Sequence, residues 1–407
     1  MTDIRFITDD EVPAFRAAIA FGFGADLDDE EGGEERYREL FPLETSIAAF
    51  EGERIVATFG SLDFDLTLPG GPALAMAGTT IVTVHPTHRR RGMLTTMVRM
   101  HLDQAMDRDQ PLAGLWASEP QIYGRFGYGG AARAHDLTIP ADRITVPAGP
   151  DDITVAFVED DDLMNVLPTV YDQARAKTPG FLSRSESWWR LQRLYDSESR
   201  REGASSRRTV AAYRDGTPLG YASYRQKEKF EPDWIAAGTI EVVEVVDLDE
   251  EARRALWHYL TNIDLFPKVH WWNGPTDNPL YVEVDNPRHL KTINRDTLYV
   301  RILHVPRVLE ARAYESNGSL VIRAIDGFLD KGGTFRLEVE IGAATCSATD
   351  EEPDVTMDTA DLGALVLGLA DAIPRWRAGQ ITGDADSVHS LDRLLRTSGA
   401  PFCIEVF

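Results

Sequence analysis

IVTVHPTHRRRGMLTTMVRMHL, residues Ile81 to Leu102, sets a β-branched run directly before a Pro-punctuated turn, three successive arginines, a glycine and an amphipathic helix. Ile81, Val82, Thr83 and Val84 suit a strand, and Leu94, Met97, Val98, Leu102 and Ala105 recur at the spacing of one buried helix face. Between the two elements the chain has the makings of an anion site. Gly92 lets the backbone approach a ligand closely, and the first free N–H groups of a helix point out of its positive end. Arg89, Arg90 and Arg91 add positive charge there. With 42 basic and 66 acidic residues and a formal net charge of -24, the chain makes this triplet an exception rather than part of a basic face. A small, multiply charged anion fits it best; the alternative is an exposed basic turn at the start of a solvated helix.

At 407 residues the chain is too long for one ordinary core and suggests two or three domains. It shows neither a leader-like apolar region after a charged start nor an apolar run long enough to cross a bilayer, so the default address is cytoplasmic, with no membrane partner. Cys346 and Cys403 lack the companions that a disulfide framework or a metal site needs, and suit buried apolar positions. His85 and His88 flank the basic turn and are better placed beside an anion than as zinc ligands; no metal is expected. Strong acidity argues against nucleic acid, whose affinity comes mainly from phosphate neutralisation, and favours a cationic substrate.

A second cluster is LWASEPQIYGRFGYGG, Leu115 to Gly130. Its apolar start reads as a strand, and Ser118-Glu119-Pro120 opens a short helical turn that carries Tyr123. Tyr123 and, behind it, Tyr128 set two phenols in this cluster. Both can be packing aromatics beside flexible glycines.

The first 145 residues or so run as helix, acidic loop, paired strands, strand, turn, helix and strand, an α/β pattern with mixed pairing. Ile47 to Phe64 reads as two strands around Glu51-Gly52-Glu53, and Pro140 to Pro150 reads as a boundary. AAGTIEVVEVVDLDEEARRALWHYL, Ala236 to Leu260, then repeats the order of Ala77 to Leu102, and Ala211 to Gln226 mirrors the earlier hairpin. The repeat carries Asp247, Asp249, Glu250 and Glu251 where the first copy carries arginines and glycine. Carboxylates suit that helix end but repel a phosphate, which points to a duplicated fold whose second copy has lost its anion. From about Val305 come alternating strands (Leu320 to Ile325, Thr334 to Ile341), a long apolar helix (Leu362 to Ala372), a helix around Leu391 to Arg396, and an apolar strand from Pro401 to Phe407. A bulky terminal phenylalanine prefers burial, which would fix the α-carboxylate inside the protein.

Arg89-Arg90-Arg91-Gly92-Met93-Leu94 resembles the pyrophosphate-binding signature R-x-x-G-x-G/A of the GNAT acyltransferase superfamily, departing from it at the last position. The resemblance implies acetyl-CoA as cosubstrate, its pyrophosphate on the amides of Arg90, Arg91, Gly92, Met93, Leu94 and Thr95. It implies pantetheine amides on the edge of Val82, Thr83 and Val84, further contacts from Ser118 and Glu119, and Tyr123 as the acid for the departing thiolate. A phenol of pKa near ~10 stays protonated at neutral pH and can donate to a thiolate near ~8.5.

Taken over its whole length, an acyltransferase copy with IYGRFGY, a degenerate copy and a strand-and-helix domain ending in phenylalanine resembles the enhanced intracellular survival (Eis) family of N-acetyltransferases. That resemblance implies an α/β (α+β) chain of tandem GNAT folds followed by a sterol-carrier-protein-like domain. The divisions would be 1–145 (catalytic), 146–304 (degenerate) and 305–407. It implies the carboxylate of Phe407 as general base, aminoglycosides and other polyamines as acceptors, and a homohexamer of two stacked trimers. A free α-carboxyl near ~3.5 is a weak base, so burial or a water relay would have to assist. For the amine pocket, Phe21 and Phe23 offer a wall, and Asp26, Asp28, Asp29, Glu30 and Glu31 offer negative potential or simply a solvated loop. Glu405 is a further candidate for an ammonium. The rival readings are a protein lysine acetyltransferase, a lipid-binding carrier and a catalytically dead scaffold.

Overall fold

The Val-rich run before the basic turn is the last third of a twelve-residue strand, and the first sheet is built around it. The computed structural model describes residues 2–25 and 32–407. In chain order the first part comprises β1 (Asp3–Phe6), α1 (Val12–Gly22), α2 (Gly33–Leu40), β2 (Ile47–Glu51), β3 (Arg54–Thr67), β4 (Ala73–Val84), α3 (Met93–Asp107), β5 (Leu112–Trp116), α4 (Pro120–Tyr123), β6 (Gly129–Gly130) and β7 (Arg133–Pro140). Next come β8 (Thr154–Phe157), α5 (Leu163–Arg175), β9 (Arg208–Arg214), β10 (Thr217–Lys227), β11 (Thr239–Asp247), a helix at Glu250–Thr261, β12 (Lys268–Pro275), β13 (Lys291–Asp296) and β14 (Leu298–Ile302). The last part holds β15 (Gly318–Ile325), β16 (Gly333–Glu340), β17 (Ala343–Ala348), β18 (Val355–Asp358) and β19 (Ile381–Gly383).

The repeat seen in the sequence is a repeat in space. β2, β3 and β4 lead into α3, as β9, β10 and β11 lead into Glu250–Thr261, and in each copy the third strand pairs in parallel with the strand after the helix. The two seven-stranded sheets nevertheless trade strands. The first is ordered β1-β2-β3-β4-β5-β14-β6 and the second β13-β7-β12-β11-β10-β9-β8. β14 lies antiparallel between β5 and β6, with Leu298 opposite Trp116 and Tyr299 opposite Gly130. β7 lies between β12 and β13, with Leu137 opposite both Trp271 and Thr292. Divisions near 145 and 304 fall in connections along the chain but do not separate the sheets.

Met93, Met97, Val98, Leu102 and Ala105 of α3 are buried at helical spacing against the first sheet, while Leu94 is only partly covered. Each fully buried side chain of this size contributes about 1.5–3 kcal/mol. β1 is a strand that the sequence reading left out; it is short and pairs only at the sheet edge with β2.

The last part is a five-stranded sheet, β17-β16-β15-β18-β19, covered by short helices. It packs tightly on the first unit. A Cβ placed on Gly129 would lie 1.7 Å from the Ala360 carbonyl oxygen, so only glycine lets the helix Thr359–Leu365 seat there. Arg301 of β14, fully buried, meets Asp326 at 2.5 Å across the same junction. The long helix expected at Leu362 to Ala372 is instead two, Thr359–Leu365 and Ala372–Arg377. Gly368 breaks it: its φ is 102°, a conformation outside the helix, and a Cβ there would strike Thr397. The expected terminal strand is absent too. Residues 396–407 form no ladder; they run along the surface to Ala400 and then enter the interior, with Pro401, Phe402, Cys403, Ile404 and Glu405 buried.

Candidate functional site

The first sheet opens where the strand meets the basic turn. β4 and β5 pair only from Met76, Ala77 and Gly78 to Leu112, Ala113 and Gly114, although β4 continues to Val84 and β5 to Trp116. Beyond Gly78, β4 keeps β3 as its partner and bulges at Ile81, whose φ of 46° is rare for a β-branched residue. The result is a slot between diverging strands, with the backbone of Val82, Thr83 and Val84 on one lip. Val82 and Val84 turn their side chains toward the α3 core, and Thr83 turns the other way, bonded to Thr58 at 2.7 Å.

At the far end of β4 the basic turn enters α3 through a left-handed glycine. Gly92 is the N-cap of α3 with φ 81° and no side-chain cap. The first backbone bond of the helix runs from the Thr96 N–H to the Gly92 oxygen at 3.1 Å, which leaves the amides of Met93, Leu94 and Thr95 facing outward. Arg90 also has a positive φ, 64°, so the backbone curls around the helix end. All three arginines are exposed. Arg89 reaches the Val84 oxygen and Arg91 the Thr87 oxygen at 3.1 Å, while among the described residues Arg90 carries no hydrogen bond or ion pair. Nearby His88 is buried and bonded to Glu51 at 3.0 Å, and His85 stacks on Phe21 at 4.9 Å. Among the described residues no group of three or more His, Cys, Asp or Glu could hold a metal.

At the near end stand the tyrosines. Ser118 and Glu119 are exposed on the turn after β5, and Tyr123 ends α4, half-buried. Its ring lies 6.1 Å from that of Tyr128 at 75°. The two phenols differ in what they touch. Tyr128 Oη is 2.9 Å from Thr79 Oγ1, which is in turn 2.8 Å from His101 Nε2, so Tyr128 is locked in a buried chain. Among the described residues Tyr123 Oη has no hydrogen-bond partner, and burial pushes its pKa up, which keeps it protonated.

Burial holds His101 down to about 3, so the ring is neutral. Unfolding restores a value near 6.5, so between about pH 6.5 and 3 the unfolded chain binds the extra proton. Stability is therefore expected to fall by about 1.4 kcal/mol per pH unit as pH drops through that window. Urea unfolding at pH 7.5 and pH 5 checks this, and the loss should shrink in His101→Gln; identical pH dependence in the two proteins would refute the assignment.

On the opposite face of β4, Gly78 touches the Phe407 ring, which packs on Phe64 at 4.9 Å. Thr79 thus faces Tyr128 while its neighbours Gly78 and Thr80 face the terminal residue. Phe407, Thr80, Ile81 and Tyr37 line a cavity of about 350 Å³ whose walls also include Arg16 and Arg36. The acidic segment Asp26, Asp28, Asp29, Glu30 and Glu31 lies outside the described residues. Phe21 and Phe23 are mostly exposed, and Phe21 lines a neighbouring cavity of about 300 Å³ with Arg54, Thr83 and His85, not the one at Phe407. Glu405 does not face a ligand. It is completely buried, bonded to Arg184 and to Trp188 Nε1 at 2.9 Å, and cannot receive an ammonium from solvent.

The second copy has closed its equivalent site. Asp249 occupies the N-cap position that Gly92 holds in the first, and its carboxylate accepts the Ala252 amide at 2.8 Å. Arg253 is consumed by Glu250 and Glu283 at 2.7 and 2.8 Å. The capping carboxylate thus sits where a phosphate would have to approach that helix end.

Known families match the chain part by part. Residues 3–131 and 180–302 each fit an acetyltransferase (GNAT) domain, and 305–404 fit a sterol carrier protein domain. The chain is 37% identical over 387 residues to an uncharacterized N-acetyltransferase of Streptomyces avermitilis, covering 93% of each. It is 31% identical over 369 residues to the N-acetyltransferase Eis of Mycobacterium tuberculosis, covering 88% of each. The crystal structure of Eis1 from Mycobacterium abscessus superposes with a TM-score of 0.84 at 28% identity over the full length of both chains.

Proposed function

Since the chain belongs to the Eis family of tandem GNAT N-acetyltransferases, we propose that it moves acetyl from acetyl-CoA to an amine of a polycationic small molecule such as an aminoglycoside. The observation that carries this reading is the slot along β4. It runs from the outward-facing amides of α3 to the stretch of the strand where Thr79 meets Tyr128, the ring neighbour of Tyr123, on one face and Gly78 meets Phe407 on the other. From Gly78 to Val84 the strand spans about 20 Å, room for an extended pantetheine arm on its open edge. In this reading Arg90, Arg91 and the amides from Gly92 to Thr95 hold the pyrophosphate, Val82 to Val84 hold the arm, and Ser118 and Glu119 border it.

The acceptor amine enters through the cavity at Phe407 and attacks the thioester carbonyl. Its proton passes to the Phe407 carboxylate, directly or through water. The C–S bond then breaks and Tyr123 protonates the thiolate, giving the amide and free CoA. A net charge of -24 supports a cationic acceptor by raising its local concentration. The arginines in the cavity wall make amines that also carry a carboxylate a necessary part of any panel.

The test is thiol release from acetyl-CoA across aminoglycosides, linear polyamines, lysine peptides and carboxylate-bearing amines. Turnover is expected with the polycations; activity with lysine peptides alone would favour a protein acetyltransferase, and release with none would sink the proposal. Tyr123→Phe is expected to lower kcat by about 10²-fold with acetyl-CoA affinity unchanged. We propose the homohexamer as well, checked by light scattering against a chain mass of 45.3 kDa. No helix among the described residues is long and apolar enough to cross a membrane.

A further inference from the structure

The tail that ends at Phe407 is gripped by the copy that has no anion site of its own. Asp277 accepts the Ala400 amide at 2.7 Å, the Pro179 carbonyl accepts the Phe402 amide at 2.9 Å, and Asn273 donates to the Cys403 carbonyl at 3.2 Å. The grip ends in a buried ionic cluster. The Arg184 guanidinium, with no exposed surface, bonds Glu405 on one side and both oxygens of Glu244 on the other, at 3.1 and 2.6 Å. Arg193 adds a second cation beside Glu244 and lies 4.0 Å from Glu405. The rings of Tyr171 and Trp189, perpendicular to each other, flank Arg184 at 3.6 and 4.3 Å.

A buried cluster of two arginines and two glutamates is not the most effective way to stabilise a fold; desolvation offsets most of its attraction, and apolar side chains often do as well. What it supplies is registry. Apolar contacts are non-directional, and a tail held by them alone could slip by one residue, about 3.3 Å. With Glu405 fixed the slip is blocked, and the Phe407 ring seated on Phe64 and Gly78 holds the two residues that follow. Misplacement by even ~1 Å can cost 10²-fold in rate.

We propose that Glu405, Arg184 and Glu244 are positioning residues for acetyl transfer, and that the second GNAT copy acts as the clamp that sets Phe407 into the wall of the acceptor cavity. This rests on the reading that the Phe407 carboxylate takes the amine proton.

Glu405→Gln keeps the shape and an acceptor for the Trp188 indole while removing the charge that Arg184 holds. Its kcat is expected to fall fivefold or more with the KM for acetyl-CoA within twofold of the parent. Glu405→Asp, which keeps the charge, should recover part of the loss. A folded Glu405→Gln enzyme that loses less than fivefold in kcat, or whose loss resides in the KM for acetyl-CoA, overturns the proposal. Should Glu405→Gln fail to fold, Arg193→Lys, which keeps the charge but loses the planar fork, is judged by the same fivefold threshold. The parent chain extended by Gly-Gly after Phe407 separates the two ideas. An inactive extension beside an active Glu405→Gln retains the terminal base and removes the clamp. An active extension beside an impaired Glu405→Gln removes the base and leaves the clamp placing the Phe407 ring as cavity wall.

Discussion

Gly92→Asp is expected to weaken acetyl-CoA binding by 10²-fold or more while costing the fold only about 1–2 kcal/mol. The second copy has already made this change: Asp249 stands at the matching N-cap, and its carboxylate takes an amide of the first turn. A carboxylate introduced at position 92 starts from left-handed backbone (φ 81°) rather than the extended backbone of Asp249 (φ -148°), so it acts less by capping than by setting a negative charge against the phosphates at the same helix end. At about 5 Å and an effective dielectric near 20, that repulsion is about 3 kcal/mol, so affinity should drop by 10²-fold or more. At φ 81° an aspartate is strained by about 1–2 kcal/mol, a small loss beside the effect on binding. Calorimetric titration with acetyl-CoA and a thermal melt read the two effects separately. A dissociation constant within fivefold of the parent would show that the donor does not use this helix end. Arg90→Ala, which removes one exposed charge and no amide, should weaken binding only about tenfold.

Appending two glycines to Phe407 is expected to lower kcat by 10²- to 10⁴-fold, the range for a displaced general base. The extension replaces the terminal carboxylate with a neutral amide and pushes the new terminus into the cavity that Phe407, Thr80 and Ile81 line. Nothing in the change touches the anion loop, so the acetyl-CoA dissociation constant should stay within twofold. Removing Phe407 should do similar damage by a second route, since the ring that packs on Phe64 and Gly78 is lost as well. Parental turnover by the extended enzyme would transfer the proton to a side chain or to water.

What was legible in the sequence was local. Gly92 in a left-handed conformation before a helix, the hairpins around Gly52 and Gly216, and the short turn carrying Tyr123 all follow from residues within a few positions of one another. Duplication was legible because the same order of elements occurs twice. Partnership at a distance was not. Arg133–Pro140 and Leu298–Ile302 alternate as strands should, but period-two patterning does not say which sheet a strand joins. Glu405 looked like a free carboxylate near a pocket because Arg184, which neutralises it, lies 221 residues away. The run from Leu362 to Ala372 was apolar enough for one helix, yet Gly368 turns the chain in its midst.

The reciprocal placement of β7 and β14 also bears on inheritance. A gene that deleted the ligandless copy would strip β14 from between β5 and β6 and leave an unpaired edge beside the tyrosine turn, a template for aggregation. Each half holds a hostage of the other. Melting should therefore be a single event for both, and drift in the silent half is confined to surfaces that neither the borrowed strand nor the threaded tail touches.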